Sequence, residues 1–168
     1  RIGDQHRPEL FALHIKRPAG LQRAVLEVAG RLDARGQEIA PLQLDQGFRE
    51  QLEQWRAAGL RSCAIALMHA YRNPDHELAL QRFAAELGFE TVVCSHQVCP
   101  LPRLVPRGQT ALVEAAVARV LRAYLAQVRA DLGEATGVRV MGSSGALLDP
   151  SALLAKDTIL SGPAGGMV

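Results

Sequence analysis

The chain has 168 residues, of which 48% are hydrophobic, 21% charged and 4% aromatic, with 19 basic and 17 acidic side chains for a net charge of +2. This is a globular balance, long enough to bury a core packed by Ala, Leu and Val rather than by aromatic rings. The small, dispersed positive excess points away from nucleic acid and anionic membrane surfaces, and no apolar run reaches the roughly 18 residues of a membrane span.

Residues 2–18 carry Pro8 and Pro18 around an apolar centre, which reads as an extended connector or a short helical turn. Residues 25–28 and 38–42 are β-capable runs flanking Asp33-Ala34-Arg35-Gly36, the signature of a hairpin whose turn ends in Gly. Asp45 opens a helix to about Ala58 with Phe48, Leu52 and Trp55 on one face, and Gly59 ends it. Residues 63–68 form a continuous apolar run, so a strand covered on both faces. Asn73 and Pro74 read as N-cap and first residue of a second helix that runs to Leu87 and stops at Gly88. Residues 90–95 are the next strand. Helix, strand, helix, strand with short links predicts a parallel α/β unit. The loops at 69–73 and 95–100 then lie at the carboxyl edge of its sheet, where open α/β folds bind ligands.

Pro100, Pro102 and Pro106 make a stiff stretch that is the best candidate for a domain boundary. After Gly108 a long helix runs to about Leu132, with Val113, Val117, Val120, Leu121, Tyr124, Val128 and Leu132 as its apolar stripe. Residues 138–141 read as a short strand, Gly142-Ser143-Ser144-Gly145 as a tight polar turn, and 146–148 as a returning strand. Asp149-Pro150-Ser151 reads as the cap and start of a brief helix ending near Lys156, and 158–160 as a last strand.

Ser161-Gly162-Pro163-Ala164-Gly165-Gly166 is the most distinctive stretch. Ser161, Gly162, Gly165 and Gly166 are small enough to let backbone N–H groups approach a nucleotide, but spacing alone favours a tight turn between strand and helix. The stretch matches neither a Walker A loop nor G-x-G-x-x-G. Ser143, Ser144 and Gly145 follow a strand, where hydroxyls can hold a carboxylate, amide or phosphate; a plain turn is the simpler account. His69 and His96 each follow a parallel strand and can converge as a metal or acid/base pair, against the plainer and favoured role of a ring bonded to a loop carbonyl. Arg107, like Arg103, suits a planar carboxylate or phosphate, or else an exposed or interdomain charge. Cys63, Cys94 and Cys99 are an odd set without a pairing pattern, so buried reduced thiols are expected, and Cys94, Cys99 and His96 lack the second pair a zinc site needs. No metal site is expected. No signal-peptide pattern is seen within the sequence, and a cytoplasmic setting is expected.

Three blocks carry a family resemblance: Arg1-Ile2-Gly3-Asp4-Gln5 with Arg7-Pro8; Ala66-Leu67-Met68-His69-Ala70-Tyr71-Arg72-Asn73-Pro74-Asp75-His76-Glu77; and Ser95-His96-Gln97-Val98-Cys99-Pro100-Leu101. With the terminal Ser-Gly-Pro-Ala-Gly-Gly, these resemble the hydantoinase A/5-oxoprolinase family over essentially the whole chain. Leu104-Val105-Pro106-Arg107-Gly108 is most similar to the 5-oxoprolinase subgroup. The resemblance implies an α/β, actin-like ATPase fold: a parallel βαβ unit with a long helix and short strands. It implies that residues 1–102 finish the family's amino-terminal domain and 103–168 begin the hydantoinase A domain.

It further implies a parent enzyme that activates a cyclic amide with ATP and Mg²⁺ and hydrolyses it, 5-oxo-L-proline giving L-glutamate. A hydantoin-hydrolysing enzyme, a ketone carboxylase subunit and a non-catalytic interaction module are the alternatives. The implied partners are the rest of the parent chain and a homo-oligomer or second subunit. Where the family shows Gln-Ser-Asn-Gly-Gly, this chain has Gly142-Ser143-Ser144-Gly145-Ala146, so Ser144 replaces an Asn amide. After Gly108, Gln109, Thr110 and Ala111 replace an acidic residue and paired Thr. The chain begins at Arg1 and ends in a Gly-rich turn, so both ends are expected to be cut. The family's two Gly-Gly-Thr phosphate loops are expected beyond those ends, and the piece alone is expected to bind no ATP tightly.

Overall fold

The computed structural model describes residues 11–14, 20–133 and 136–166, and most of the connector expected at 2–18 lies outside them. Strands β1, Arg31–Leu32, and β2, Glu38–Ala40, form the expected antiparallel hairpin. Asp33 makes the turn: its carboxylate accepts from Arg35 N and Gln37 N, each at 2.8 Å. Gly36 follows at φ 86°. The first arm is not at 25–28 as expected. Gly30, at φ 151° and packed against Leu42, kinks the chain, so pairing begins at Arg31 and Val28 turns inward to the core.

Helix α1 spans Gln46–Ala57, capped by Asp45, whose carboxylate accepts from Phe48 N at 2.8 Å. Gly59, at φ 90°, turns the chain out of it. Strand β3, Ser62–Ile65, leads through 66–74 to helix α2, Asp75–Glu86. Pro74 occupies the cap position, one residue later than expected, while Asn73 Oδ1 accepts from Asp75 N at 2.9 Å. Strand β4, Thr91–Cys94, then pairs with β3 in parallel, with Ser62 opposite Thr91 and Ile65 opposite Cys94.

The two strands are covered on both faces, as the apolar run required. Side chains alternate with period two. Cys63, Ile65, Val92 and Cys94 face α1 and α2, joining Leu52, Leu80, Ala84 and Phe89. Ala64 and Val93 face the opposite way, onto Ala111 and Ala115.

That second layer is a long helix. A four-residue helix α3, Ser95–Val98, follows β4 directly, and α4 then runs over Leu104–Leu132. It starts four residues before Gly108. Pro106 is no obstacle, because it lies in the first turn, where N–H groups have no intrahelical acceptor. The buried face of α4 differs from the expected Val/Leu stripe. Arg107, Ala111, Glu114, Ala115, Ala118 and Leu125 are buried, whereas Val120 (67%), Tyr124 (64%) and Leu132 (51%) are exposed. Small residues let the helix lie close on the sheet: a Cβ at Gly108 would meet Ala66 Cβ at 3.2 Å. Bulk on the facing side was therefore the wrong guide.

Strands β5, Val140–Met141, and β6, Leu147–Leu148, pair antiparallel around the expected polar turn. The helix expected from Asp149 to Lys156 is instead a turn, in which Asp149 Oδ1 accepts from Ser151 N and Oγ, followed by a 3-10 turn at Ala155–Thr158. The strand expected at 158–160 is absent. Asp157 O accepts from Ser143 rather than from a ladder partner, and Ile159 and Leu160 are exposed. Helix α5, Ser161–Gly165, completes the described residues.

Candidate functional site

The polar centre of the fold is Glu77, a fully buried acid in the first turn of α2. Glu77, Leu80 and Ala84 lie at i, i+3 and i+7 on that helix's buried face, which carries the carboxylate under the carboxyl edge of β3 and β4. It accepts four hydrogen bonds. Oε1 accepts from Leu67 N at 2.9 Å and Ser95 Oγ at 2.5 Å. Oε2 accepts from His96 N at 3.1 Å and His96 Nδ1 at 2.7 Å. The backbone donors fix the carboxylate as acceptor, so the imidazole is the donor through Nδ1.

Arg107, also fully buried, supplies the opposite charge from the first turn of α4. Its guanidinium donates to Ser95 Oγ at 3.0 Å and Leu67 O at 2.7 Å, and stands 3.7 Å from Glu77 Oε1. Charge-assisted bonds of this kind offset the desolvation of both ions. His96 follows β4 directly and is partly exposed at 15% of its side chain. Nε2 has no hydrogen-bond partner among the described residues, so this atom is the one the cluster presents outward.

Glu77, Cys94 and His96 bring ligand-type atoms within 4.8 Å of one another, yet their chemistry does not fit a metal. The Cys94 thiol donates to Glu77 O at 3.3 Å, and burial, with the Glu77 charge and Cys63 adding, pushes it up to about 12. Both Glu77 oxygens already accept two hydrogen bonds each, and His96 Nδ1 is committed to one of them as a donor.

His69 lies at the same edge, after β3. It adopts the left-handed region at φ 60°, where its carbonyl accepts from Arg72 N at 2.8 Å and Asn73 N at 3.2 Å. Its ring is 6.2 Å from that of Tyr71, and the Arg107 guanidinium is 5.8 Å from the same ring. His69 and Arg107 thus flank Tyr71, while His96 meets Arg107 through Glu77 and Ser95.

The other sequence candidates form a second group. Ser143 N and Oγ donate to Asp157 O at 2.5 and 2.6 Å, and Ser143 Oγ accepts from Leu160 N at 3.0 Å. Ser143 thereby ties the Gly142–Gly145 turn to the entrance of α5, which holds Ser161, Gly162 and Gly165 and ends at Gly166. Gly145, at φ 80°, closes the turn, and Ser144 is exposed. No hydrogen bond joins the two groups among the described residues. Glu77 and Ser95 were not singled out from sequence. The available signal was an acid on the apolar stripe of α2.

The α/β class is that of a solved ATP-dependent caprolactamase from Pseudomonas jessenii, an actin-like ATPase fold: TM-score 0.72 and 28% identity over 82% of this chain and 20% of that one. Residues 1–88 match the model of the hydantoinase/oxoprolinase N-terminal region, and 107–168 that of hydantoinase/oxoprolinase. The chain belongs to the hydantoinase/oxoprolinase family. It is 33% identical to 5-oxoprolinase 1 of Arabidopsis thaliana over 100% of its length and 31% identical to the 5-oxoprolinase of Saccharomyces cerevisiae over 99%. It spans 15% of the length of each of these relatives. No helix among the described residues is long and apolar enough to cross a membrane.

Proposed function

We propose that this chain is part of an ATP-dependent cyclic-amide hydrolase whose substrate is 5-oxo-L-proline and whose product is L-glutamate. The observation that carries the reading is whole-chain similarity to two 5-oxoprolinases at 31% and 33% identity. The caprolactamase likeness supports the wider class, ring amides opened at the cost of ATP. Residues 1–102 close one domain and 103–168 open the next, a division supported by family matches that leave 89–106 between them.

ATP and Mg²⁺ are assigned to other segments of the parent protein, a reading supported by the lack of a Gly-Gly-Thr segment in this sequence and by α5 being a single five-residue turn. This chain contributes the carboxyl-edge cluster around Glu77 and the Ser143–α5 group. Other parts of the polypeptide, and a second subunit or further copies, complete the enzyme, for which a cytoplasmic setting is proposed.

The test is glutamate and ADP release by the full-length protein given ATP, Mg²⁺ and 5-oxo-L-proline, with a hydantoin, caprolactam and acetone as competitors. Turnover with 5-oxo-L-proline alone supports the assignment. Preference for another substrate moves it within the family, and no ATP turnover with any of them leaves an interaction module.

A further inference from the structure

We infer that Glu77 and His96 are a proton-transfer dyad, His96 taking a proton from the substrate through Nε2 and Glu77 positioning it. The inference rests on the cyclic-amide reading above and adds a residue to it. Three observations carry it. The Glu77 oxygens already accept two backbone amides, so Nδ1 of His96 is held as the donor and Nε2 is left as the reactive nitrogen. The ring is locked twice, by its side chain and its own backbone N–H on the same carboxylate oxygen, which fixes its direction. It stands at the carboxyl end of β4, the edge where parallel α/β sheets place their ligands, with Nε2 unpartnered among the described residues.

Salt-bridge geometry argues against a purely structural pair. Arg107 and Ser95 already neutralise and satisfy Glu77, and Leu67 N and His96 N complete it. The imidazole is not needed to keep the carboxylate paired. What the ring gains is orientation.

The chemistry of a secondary amide requires such an acceptor. When the carbonyl oxygen captures a phosphoryl group from a nucleoside triphosphate, the C=O π pair forms the new O–P bond and the bond from phosphorus to the departing diphosphate breaks. The N–H pair becomes C=N, and the proton leaves to a base. Its destination here is His96 Nε2, giving an imidazolium stabilised by the Glu77 carboxylate. The charged and titratable groups facing this ring are Glu77 from α2, Arg107 from α4 and Cys94 from β4.

The test uses the full-length enzyme with ATP and 5-oxo-L-proline. His96→Ala is expected to lower kcat at least about a hundredfold with KM little changed, to abolish the acid limb of the kcat–pH profile, and to regain turnover with added imidazole. Glu77→Gln is expected to move that acid limb. Should Glu77→Gln not fold, His96→Ala alone decides, since its ring is partly exposed and unfolding is checked by the melting transition. His96→Ala within about threefold of wild type, or a loss that imidazole does not restore and the pH profile does not register, overturns the dyad and leaves the family reading intact. Wild-type protein inactive on every cyclic amide overturns both.

Discussion

Replacing Glu77 by Gln tests whether the buried cluster is held by charge or by shape. The side chain keeps its size, so no cavity opens. Two things change. Arg107, fully buried, loses its only carboxylate within 4 Å among the described residues. The new amide also has one acceptor where the carboxylate had two. If its NH₂ takes the Oε1 place it meets Leu67 N and Ser95 Oγ; in the Oε2 place it meets His96 N and Nδ1. Ser95 can rotate its hydroxyl and His96 can change tautomer, but one backbone N–H is orphaned either way. An orphaned buried donor costs about 1–3 kcal/mol, and breaking a buried ion pair about 3–5 kcal/mol. The terms overlap, so the expected loss is about 4 kcal/mol, or about 8–16 °C in Tm at this chain length. Trp55, the single tryptophan, packs on the Leu52–Ala84–Phe89 cluster and reports urea unfolding by fluorescence. Adding Arg107→Met should cost less than the sum of the two single changes by at least about 2 kcal/mol, because the stranded charge is gone. A Glu77→Gln loss below about 1 kcal/mol, or strict additivity in the double variant, refutes the argument from charge.

Asp45→Ala removes the acceptor for Phe48 N and should destabilise the fold by about 1 kcal/mol in the same urea assay. Gly36→Ala should cost about 1–2 kcal/mol, since φ is 86° and the new methyl meets the Cβ atoms of Arg72 and Asn73 at 3.2 Å. Burial pushes the Cys63 thiol to about 11 and the Cys94 thiol to about 12, so both should resist a thiol reagent at pH 8 until urea is added. The same shifts predict a stability contribution that is full below the unfolded thiol value near 9.0 and is lost as pH rises through about 11 to 12. Ser151 holds the Asp149 carboxyl below its usual value; Ser151→Ala should raise it, read by NMR titration, with the linked stability present above the unfolded Asp value and lost as pH falls below it.

Where local rules act alone, the sequence was legible. Asp45 before α1, Gly59 and Gly88 after α1 and α2, and the apolar run at β3 each have one physical reading, and the structure follows it. The hairpin turn was found from Asp33 and Gly36, but its first arm was misplaced because the ladder is irregular at Gly30 and Arg31, with a single further bond from Gln43 N to Ala29 O. The facing of α4 was misread for a tertiary reason. Counting bulky residues finds Val120, Tyr124 and Leu132, whereas the sheet accepts Ala111, Ala115 and Ala118 at close range. The end of the chain was misread because Glu114, some 40 residues away, governs it. Its carboxylate accepts from Ala155 N at 3.1 Å and Lys156 N at 2.7 Å and so starts the 3-10 turn that no nearby residue announces. Glu77 was overlooked for the related reason that its partners come from the loop after β3, from α3 and from α4, none adjacent in sequence.

Those long-range contacts also explain why the two serines of the polar turn answer to different constraints. Arg107 roots α4 in the carboxyl-edge cluster, and Glu114, two turns further along the same face, seizes Ala155 and Lys156. Asp157 comes next in the chain, and its carbonyl is the acceptor for Ser143, whose hydroxyl in turn accepts from Leu160 at the mouth of α5. Ser143 therefore serves the fold: its hydroxyl bridges the Asp157 carbonyl and the Leu160 N–H, and Ala there removes both bonds. Ser144 makes no hydrogen bond among the described residues and is exposed. Folding places no demand on its side chain. Ser144→Asn should therefore leave the melting transition unmoved, and any change it makes in the ligand preference of the full-length protein reads binding at the turn rather than folding.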